Sequence, residues 1–544
     1  MSFYYHLPII VALLSMHLAI AQEISPEEMV TYQKQSGFIK EFQVPIKDLG
    51  LEGITTDTQG SVWFLHSTNK TSMVFKLDPD SGQFSQYPVQ GETVADNAII
   101  NLAAGHLVFD NENSALWFTD ARTNSIGRLD TRNAKMQIIE IPTPSAGPMG
   151  IALGPGGKSV WFTEIMGDKL GQVDIESMKI TEYPLAENSG PALLAFKDNA
   201  NLWVSLSFSN SVLRVDPTAL SSSSTLSSSA VSEFKLSGSE DMFSPFGIAL
   251  SSGGKVYVSD HGSSRVIVAD TGFVNYISYW TSPSNEFPTT LPSEIVVDEE
   301  GDVYFPQHGG NRISEIDNET GVMTEYQIPT GPLSTAVFIA ASDDGKIWFT
   351  EWAANKIAYL DTNVKIPFDI QVTADDEDIT LTEDGSRSVN ISLNASSGNN
   401  NNNNSSPSTS LSEVKIEVLG MTESGLKGVT YTSQPQRVNL SQNHQADVKI
   451  DLTVEEGAPS GKYTLMVRAI APENEGSFVS KLYPVSLVLD VSPPQPQTGN
   501  MNITYNSADN TLGELTRYAL LSIAIGLGGY IVYRLIKIRR IMQK

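Results

Sequence analysis

Carboxylates recur at one position of a repeated pattern, three residues after an aromatic residue that begins an apolar pair. The seven residues at this position are His66, Asp120, Glu164, Leu206, Asp260, Gln307 and Glu351. Like charges brought together at one opening repel each other, and either raised pKa values or a bound cation relieves the repulsion. Calcium accepts irregular oxygen cages more readily than magnesium does. We therefore expect Ca²⁺, or else Mg²⁺, at a site formed by Glu52, Asp120, Glu164, Asp260 and Glu351.

Two histidines extend this ring, because His261 and His308 each follow one of its members directly. Imidazoles titrate near neutral pH and are suited to proton transfer and to ligand binding. The ring and these histidines predict a ligand site for a small molecule, peptide or glycan, with the residues His66, Asp120, Glu164, Asp260, His261, Gln307 and His308. The alternative interpretation is structural, since carboxylates at strand ends often cap the chain and hydrogen-bond to neighbouring repeats.

Composition excludes several other kinds of chemistry. The chain has no cysteine, so it has no disulfides, thiolate metal sites or cysteine nucleophile. A formal net charge of −27 makes nucleic-acid binding unfavourable. The sequence also lacks a nucleophile elbow, a Walker loop and paired zinc-ligand spacings.

Seven repeats must position the ring. The aromatic residues lie at intervals of 54, 44, 42, 54, 47 and 44 positions, at Trp63, Trp117, Trp161, Trp203, Tyr257, Tyr304 and Trp348. An aspartate follows each of the last six at a constant offset, at Asp130, Asp174, Asp216, Asp270, Asp317 and Asp361. A period in the forties is typical of a four-stranded propeller blade. The sequence therefore predicts an all-β fold with a seven-bladed β-propeller over residues 38–365.

The first strand of each predicted blade begins near the end of the second, at the same opening. The spacing of the repeats places a second ring there, at Glu52, Asn97, Met149, Ala192, Phe246, Ser293 and Leu333. Together the two rings predict a funnel that is half acidic and half apolar.

Several repeat segments are similar to those of a known family. They are Pro148–Ile151, Trp161–Glu164, Thr181–Pro184, Trp348–Trp352 and Asn355–Ile357. In these segments the chain resembles the virginiamycin B lyase, or streptogramin lyase, family over about residues 38–361. The resemblance implies a seven-bladed propeller that uses Mg²⁺ and opens a cyclic depsipeptide by elimination.

The resemblance also implies catalytic residues, and most of them are not matched. It implies a histidine base at the second position of a Pro-His-Gly-Ile motif, a neighbouring histidine, and a glutamate before the motif. Ser293, Leu333 and Gly331 stand at these places, and only Glu351 matches an implied catalytic glutamate. Because leucine cannot accept a proton, we expect no lyase activity of the family type.

The remaining segments predict a surface protein. Residues 1–21 resemble a signal peptide, 366–491 alternate like an Ig-like β-sandwich, and 492–514 form a proline-containing linker. Residues 515–536 predict a transmembrane helix, and the basic tail 537–544 predicts a cytoplasmic end. Glycosylation sequons occur at Asn69, Asn318, Asn390, Asn394, Asn403, Asn404, Asn439 and Asn502.

These features predict a single-pass cell-membrane protein with its N-terminal ectodomain outside. An acidic, sequon-rich chain without cysteine suits an archaeal cell surface. The favoured function is recognition or scaffolding at the funnel. The rival is a lyase or lactonase-type hydrolase that uses a divalent metal in the funnel.

Overall fold

The computed structural model describes residues 37–490, except 69, 92–104, 221–228, 237–243, 275, 283–288, 332–333, 365–367, 376–377, 383–384, 398–413, 420–427, 441–444, 456–457, 459–460 and 471–478. The predicted signal peptide, linker, transmembrane helix and basic tail lie outside the described residues. No helix within the described ranges is both long and apolar enough to cross a membrane.

Seven groups of four antiparallel strands, the blades, follow one another along the described chain; six are separate sheets, and the strands of blade six belong to a nine-stranded sheet. Blade one consists of β2 (Leu51–Thr56), β3 (Val62–Ser67), β4 (Ser72–Asp78) and β5 (Gln83–Val89). Blade two consists of β6 (Leu107–Asp110), β7 (Ala115–Asp120), β8 (Ser125–Asp130) and β9 (Lys135–Glu140). Blade three consists of β10 (Pro148–Leu153), β11 (Ser159–Glu164), β12 (Lys169–Asp174) and β13 (Lys179–Pro184). Blades four and five are β14 (Pro191–Asp198), β15 (Asn201–Leu206), β16 (Ser211–Val215), β17 (Val231–Lys235); and β18 (Pro245–Leu250), β19 (Lys255–Asp260), β20 (Arg265–Asp270), β21 (Tyr276–Trp280). Blades six and seven are β22 (Val296–Val297), β23 (Val303–Gln307), β24 (Arg312–Ile316), β25 (Met323–Gln327); and β26 (Ala336–Ser342), β27 (Lys346–Glu351), β28 (Lys356–Asp361), with β1 (Ile39–Gln43) as the outermost strand.

The innermost strands form a closed ring. Each contacts the innermost strand of the next blade, and β26 of blade seven contacts β2 of blade one. The N-terminal strand β1 completes blade seven by pairing with β28, from Ile39 opposite Leu360 to Gln43 opposite Lys356. The all-β propeller prediction is therefore confirmed.

The repeated aromatic residues form the core between blades. All seven are buried on the second strand of their blade. Aromatic residues of the outer strand pack on the rings of Trp63, Trp161, Trp203 and Trp348. The ring centroids of Trp161 and Tyr183 are 5.6 Å apart, as are those of Trp203 and Phe234. Burial of large aromatic faces is a principal source of stability in such a fold.

The repeated aspartates close the turn that follows strand three of each blade. Asp130 Oδ1 accepts a hydrogen bond from the backbone N–H of Arg132 at 3.0 Å, and Asp317 Oδ1 accepts one from Thr320 at 2.7 Å. The other aspartates of the series, Asp78, Asp174, Asp216, Asp270 and Asp361, make equivalent bonds. An aspartate suits this place because its short side chain mimics a backbone turn. The fixed offset therefore reflects turn geometry.

Hydroxyl groups connect neighbouring blades. The hydroxyl of Thr163 accepts a hydrogen bond from Gly150 N at 2.8 Å and donates to Ala192 O of the next blade at 2.5 Å. Thr119 and Ser205 make the equivalent pairs of contacts. Blade one has leucine at this position, and there the backbone N–H of Gly53 donates directly to Gly105 O of blade two.

Residues 368–490 form a second group of strands, here called the C-terminal β-module. Its strands are β29 (Phe368–Ala374), β30 (Asp378–Thr382), β31 (Ser386–Ser397), β32 (Val414–Leu419), β33 (Val429–Gln434), β34 (Arg437–Val438), β35 (Gln445–Val454), β36 (Gly461–Ile470) and β37 (Val479–Asp490). One sheet has the order β29-β31-β35-β33, and the other contains β37-β36-β32-β34 with β30 parallel to β37. Buried aliphatic side chains of both sheets share one hydrophobic core. The Ig-like assignment of this region remains a prediction.

The second sheet of the module continues into blade six. Strand β37 pairs antiparallel with β25, from Met323 opposite Leu482 to Tyr326 opposite Val479. The outer edge of blade six is thus covered by a strand of the module.

Candidate functional site

The register of strand one corrects the second predicted ring. Pro148 lies opposite Glu164, and Ala336 takes the same place opposite Glu351. Counted from these pairs, the ring is Glu52, Gly105, Met149, Ala192, Phe246, Ser293 and Val337. Asn97 and Leu333 were therefore wrong; both lie outside the described residues. The reason is that the loops before strand one differ in length, so spacing does not fix its register.

The corrected register leaves the implied lyase base unmatched. Val337 replaces Leu333 at the second position of the last blade, and Thr335 rather than Gly331 precedes the motif. Ser293 keeps the position predicted for it, because Pro292 bridges to Gln307. Neither valine nor serine can act as the imidazole base that the resemblance implies.

The strand-two ring is buried and bonded within the protein. His66 Nε2 lies 3.0 Å from Asp48 O, and burial lowers the pKa of His66. Asp120 Oδ1 accepts hydrogen bonds from Ser72 Oγ at 3.2 Å and Arg122 N at 3.0 Å.

The ring members of blades five and six are bonded in the same way. Asp260 accepts a hydrogen bond from Ser244 N at 2.9 Å and pairs with Arg265 at 3.3 Å. Gln307 Nε2 donates to Ser314 Oγ at 2.6 Å and to Glu325 Oε1 at 2.7 Å. These bonds hold the front ends of the blades, whereas both carboxyl oxygens of Glu164 and of Glu351 are buried without a hydrogen-bond partner in the described part of the chain.

Blade three builds a buried cluster around Glu164. Lys169 begins strand three and donates to Glu182 Oε2 at 2.9 Å, and it also contacts the Thr143 hydroxyl. The backbone N–H of Thr143 donates to Glu182 Oε1 at 2.9 Å. Burial and the neighbouring Glu182 carboxylate together raise the pKa of Glu164 to about 8. Glu164 is therefore protonated at neutral pH.

Blade seven repeats this cluster around Glu351. Lys356 Nζ donates to Glu41 Oε2 at 2.5 Å and to Thr330 Oγ1 at 2.7 Å, and Thr330 N donates to Glu41 Oε1 at 3.0 Å. Burial and the Glu41 carboxylate raise the pKa of Glu351 well above its usual value. Glu351, the predicted catalytic glutamate, therefore lies in a cluster of side chains that is repeated in blade three.

The five predicted metal ligands do not form one site. Glu52 lies near Asp120, and burial followed by that carboxylate raises the pKa of Glu52 well above its usual value. Asp260, Glu164 and Glu351 each belong to the clusters of their own blades. Among the residues that the structure describes, no three histidines or carboxylates are placed to hold a metal ion.

The Mg²⁺ implied by the resemblance also does not fit at Glu351. The Lys356 ammonium group already supplies the cation of that cluster, and the raised pKa of Glu351 disfavours the ionised carboxylate that Mg²⁺ prefers as a ligand.

His261 and His308 do come together, at the front of the seam between blades five and six. Their ring centroids are 5.5 Å apart, and the Phe246 ring lies 5.5 Å from that of His261. His261 Nδ1 is 3.1 Å from Pro292 O of blade six. Both imidazoles are buried. These three rings form the aromatic seam of the front opening.

The prediction missed one pair of residues at the propeller axis. His106 of blade two contacts Glu294 of blade six through Nε2 and Oε1. These blades are not neighbours in the ring, so the contact crosses the central channel. Glu294 Oε2 also accepts a hydrogen bond from Ile339 N at 2.9 Å, and the Phe338 ring lies 5.9 Å from the imidazole.

The electrostatics of this pair favour the protonated form of His106. Although burial alone would lower it, the pKa of His106 is raised by the adjacent Glu294 carboxylate. A signal for the pair exists in the sequence. Both residues occupy the third position of the strand-one motif, where Gly53, Gly150 and Gly247 stand in other blades.

The fold and the strand-end rings define a seven-bladed β-propeller. Residues 37–232, which include blades one to three, match the model of the virginiamycin B lyase family. This chain therefore contains a virginiamycin B lyase-like propeller. No curated protein matches the sequence.

Solved lyase structures resemble the propeller. A streptogramin B lyase structure is 25% identical, with a TM-score of 0.49, and the match covers 59% of this chain and 97% of that one. A catalytically inactive histidine-to-alanine variant of virginiamycin B lyase from Staphylococcus aureus, with quinupristin, is 23% identical. That match has a TM-score of 0.50 and covers 59% of this chain and 98% of the other. At this identity the likeness concerns the fold.

Proposed function

We propose that this chain is a membrane-anchored recognition propeller of the cell surface, which binds a small molecule, peptide or glycan at its front opening. The observation that carries the proposal is the duplication of the Glu351 cluster in blade three. The same arrangement of lysine, threonine and glutamate surrounds Glu164 in blade three, away from blade seven. A structural role in each of the two blades explains this repetition better than a catalytic role at Glu351 alone. Ser293 and Val337, at the implied positions of the base, support the same conclusion.

The aromatic seam is the part of the front opening best suited to a ligand. Flat aromatic rings combined with polar ring nitrogens are typical of sites that bind sugars and peptides. We place ligand contact at His261, His308 and Phe246. The surface location rests on the sequence of the two ends, which predict a signal peptide and a single span.

A ring-opening assay separates this function from that of a lyase. The full chain, purified in detergent with Mg²⁺, is expected to leave a streptogramin B ring closed. Ring opening that persists in Glu351→Gln would reveal another base and would overturn the proposal. Ring opening that is lost in Glu351→Gln would overturn it in favour of the family reaction.

A thermal-shift screen tests binding directly. A panel of oligosaccharides, short peptides and cyclic depsipeptides is expected to contain a compound that raises the melting temperature of the wild type. His261→Ala and His308→Ala should abolish that rise. The control Glu233→Gln, in the outer strand of blade four, should keep it. A rise that survives both histidine substitutions would refute binding at the aromatic seam.

A further inference from the structure

Strand β36 of the C-terminal β-module is buried on both faces. Leu465, Val467 and Ala469 point into the core of the module, as the alternating sequence predicts. The opposite face is also covered, because Met466 is fully buried in a cluster with residues of blades five and six. Thr464 adds a hydrogen bond there, accepting from Ser278 N at 3.3 Å. A strand buried in this way belongs to the propeller core as much as to the module.

Blade six obtains one of its buried cations from the module. In blades three and seven, a lysine of strand three neutralises the glutamate of strand four. The equivalent glutamate of blade six is Glu325, whose carboxylate lies 3.6 Å from the guanidinium of Arg468 on β36. Ser480 of β37 also donates to Glu325 Oε2 at 3.1 Å. Although burial opposes it, Arg468 and Arg312 hold the pKa of Glu325 below its usual value.

The other oxygen of Glu325 reaches the front of the propeller. Glu325 Oε1 accepts hydrogen bonds from Gln307 Nε2 at 2.7 Å and from Ser282 N at 3.0 Å. Gln307 ends strand two of blade six and directly precedes His308. One buried carboxylate therefore connects the module with the turn that carries the aromatic seam.

We propose that the C-terminal β-module is a fixed brace of blade six, and that Arg468 is the positioning residue through which it holds the turn carrying His308. The module shares a sheet with blade six, both faces of its strand β36 are buried, and its Arg468 pairs with the buried Glu325 of that blade. A stalk that moved freely would make none of these contacts. That the braced turn serves ligand binding rests on the proposed function. The brace itself does not.

Hydrogen exchange of the full chain in detergent tests the brace without any ligand. Arg468→Met removes the charge and keeps an unbranched side chain that can pack in the same place. It is expected to speed amide exchange across residues 303–316 at least tenfold, including His308 and Gly309. The control is Lys449→Met, which breaks an exposed ion pair within the module, with Asp451 at 2.7 Å. It should leave exchange in blade six unchanged.

Two results would overturn the brace. One is that Arg468→Met speeds exchange only within β36 and β37 and leaves blade six protected. The other is that calorimetry of the wild type shows the module and propeller melting in separate transitions. If Arg468→Met does not fold, the milder Ser480→Ala, which removes the hydroxyl that donates to Glu325 Oε2, decides instead. It should speed exchange across residues 303–316 of blade six at least threefold, and unchanged exchange there would refute the proposal.

Because exchange is read without a ligand, failure of the thermal-shift screen would leave the brace standing. Failure of the brace would likewise leave binding at the aromatic seam untouched.

Discussion

Removal of one partner of the His106–Glu294 pair should destabilise the propeller more than removal of any exposed ion pair. Glu294→Ala leaves His106 Nε2 and the Ile339 N–H without their partner. Breaking a buried pair typically costs about 3–5 kcal/mol. The two side chains keep 15% and 9% of their exposure, so water screens them slightly. We therefore expect about 3 kcal/mol for each single substitution, the lower end of that range.

A double-mutant cycle measures the interaction itself. Urea unfolding of the wild type, His106→Ala, Glu294→Ala and the double variant should give a coupling free energy of about 2 kcal/mol. The matched control is the exposed Lys449–Asp451 pair, for which about 0–1 kcal/mol is expected. Single costs that add to within about 0.5 kcal/mol would refute an interaction across the channel.

The same pair predicts a pH dependence. A histidine whose pKa is raised in the folded state contributes stability that is fully present below its unfolded pKa, about 6.5. That contribution is lost as the pH rises through the folded pKa. The free energy of unfolding of the wild type should thus fall above about pH 6.5 more steeply than that of His106→Gln. Parallel pH profiles for the two proteins would contradict the assigned charge.

Three further predictions concern other parts of the molecule. The folded pKa of Glu164, about 8, lies above its unfolded value of about 4.3, so stability should fall as the pH rises between them. Urea unfolding at several pH values should show a flatter profile for Glu164→Gln, and an unchanged slope would refute a protonated Glu164. Thr163→Val leaves Gly150 N–H and Ala192 O without their hydroxyl and should cost about 1–3 kcal/mol, whereas Thr163→Ser should cost less. Equal costs in urea unfolding would show that the hydroxyl is not the link between the blades. Protease added to intact cells should remove the propeller and leave a small membrane stub, and a protected propeller would refute the proposed topology.

The propeller fold can be predicted from the sequence because the residues that indicate it recur at nearly constant spacing in every blade. The buried aromatic residues recur on the second strand of every blade, and the turn aspartates bond within a single turn, so their spacing predicts the fold. The register of strand one was not predictable in the same way. Its position depends on loops of variable length, and this is why the repeat spacing predicts Asn97 and Leu333 in place of Gly105 and Val337.

The site was predicted less well, because side-chain direction depends on the partners of each residue. The positions of Glu164 and Glu351 at the ends of strand two were correctly located. Each, however, belongs to a separate cluster of its own blade, in which a lysine bonds another glutamate, and the described residues contain no group of three ligands for a metal ion. The His106–Glu294 contact joins residues 188 positions apart, a separation over which periodicity carries no information.

The closing strand β1 constrains the order in which this protein can fold during its synthesis. It emerges from the ribosome before any blade, yet its partner β28 is among the last propeller strands to be made. Glu41 and Lys356, which pair across this closure, are 315 positions apart. Until β28 appears, β1 has no edge to join, and the unfinished propeller presents an open strand to other chains. Contacts of such long range form slowly. Ring closure is therefore the step at which a chaperone at the point of synthesis would matter most.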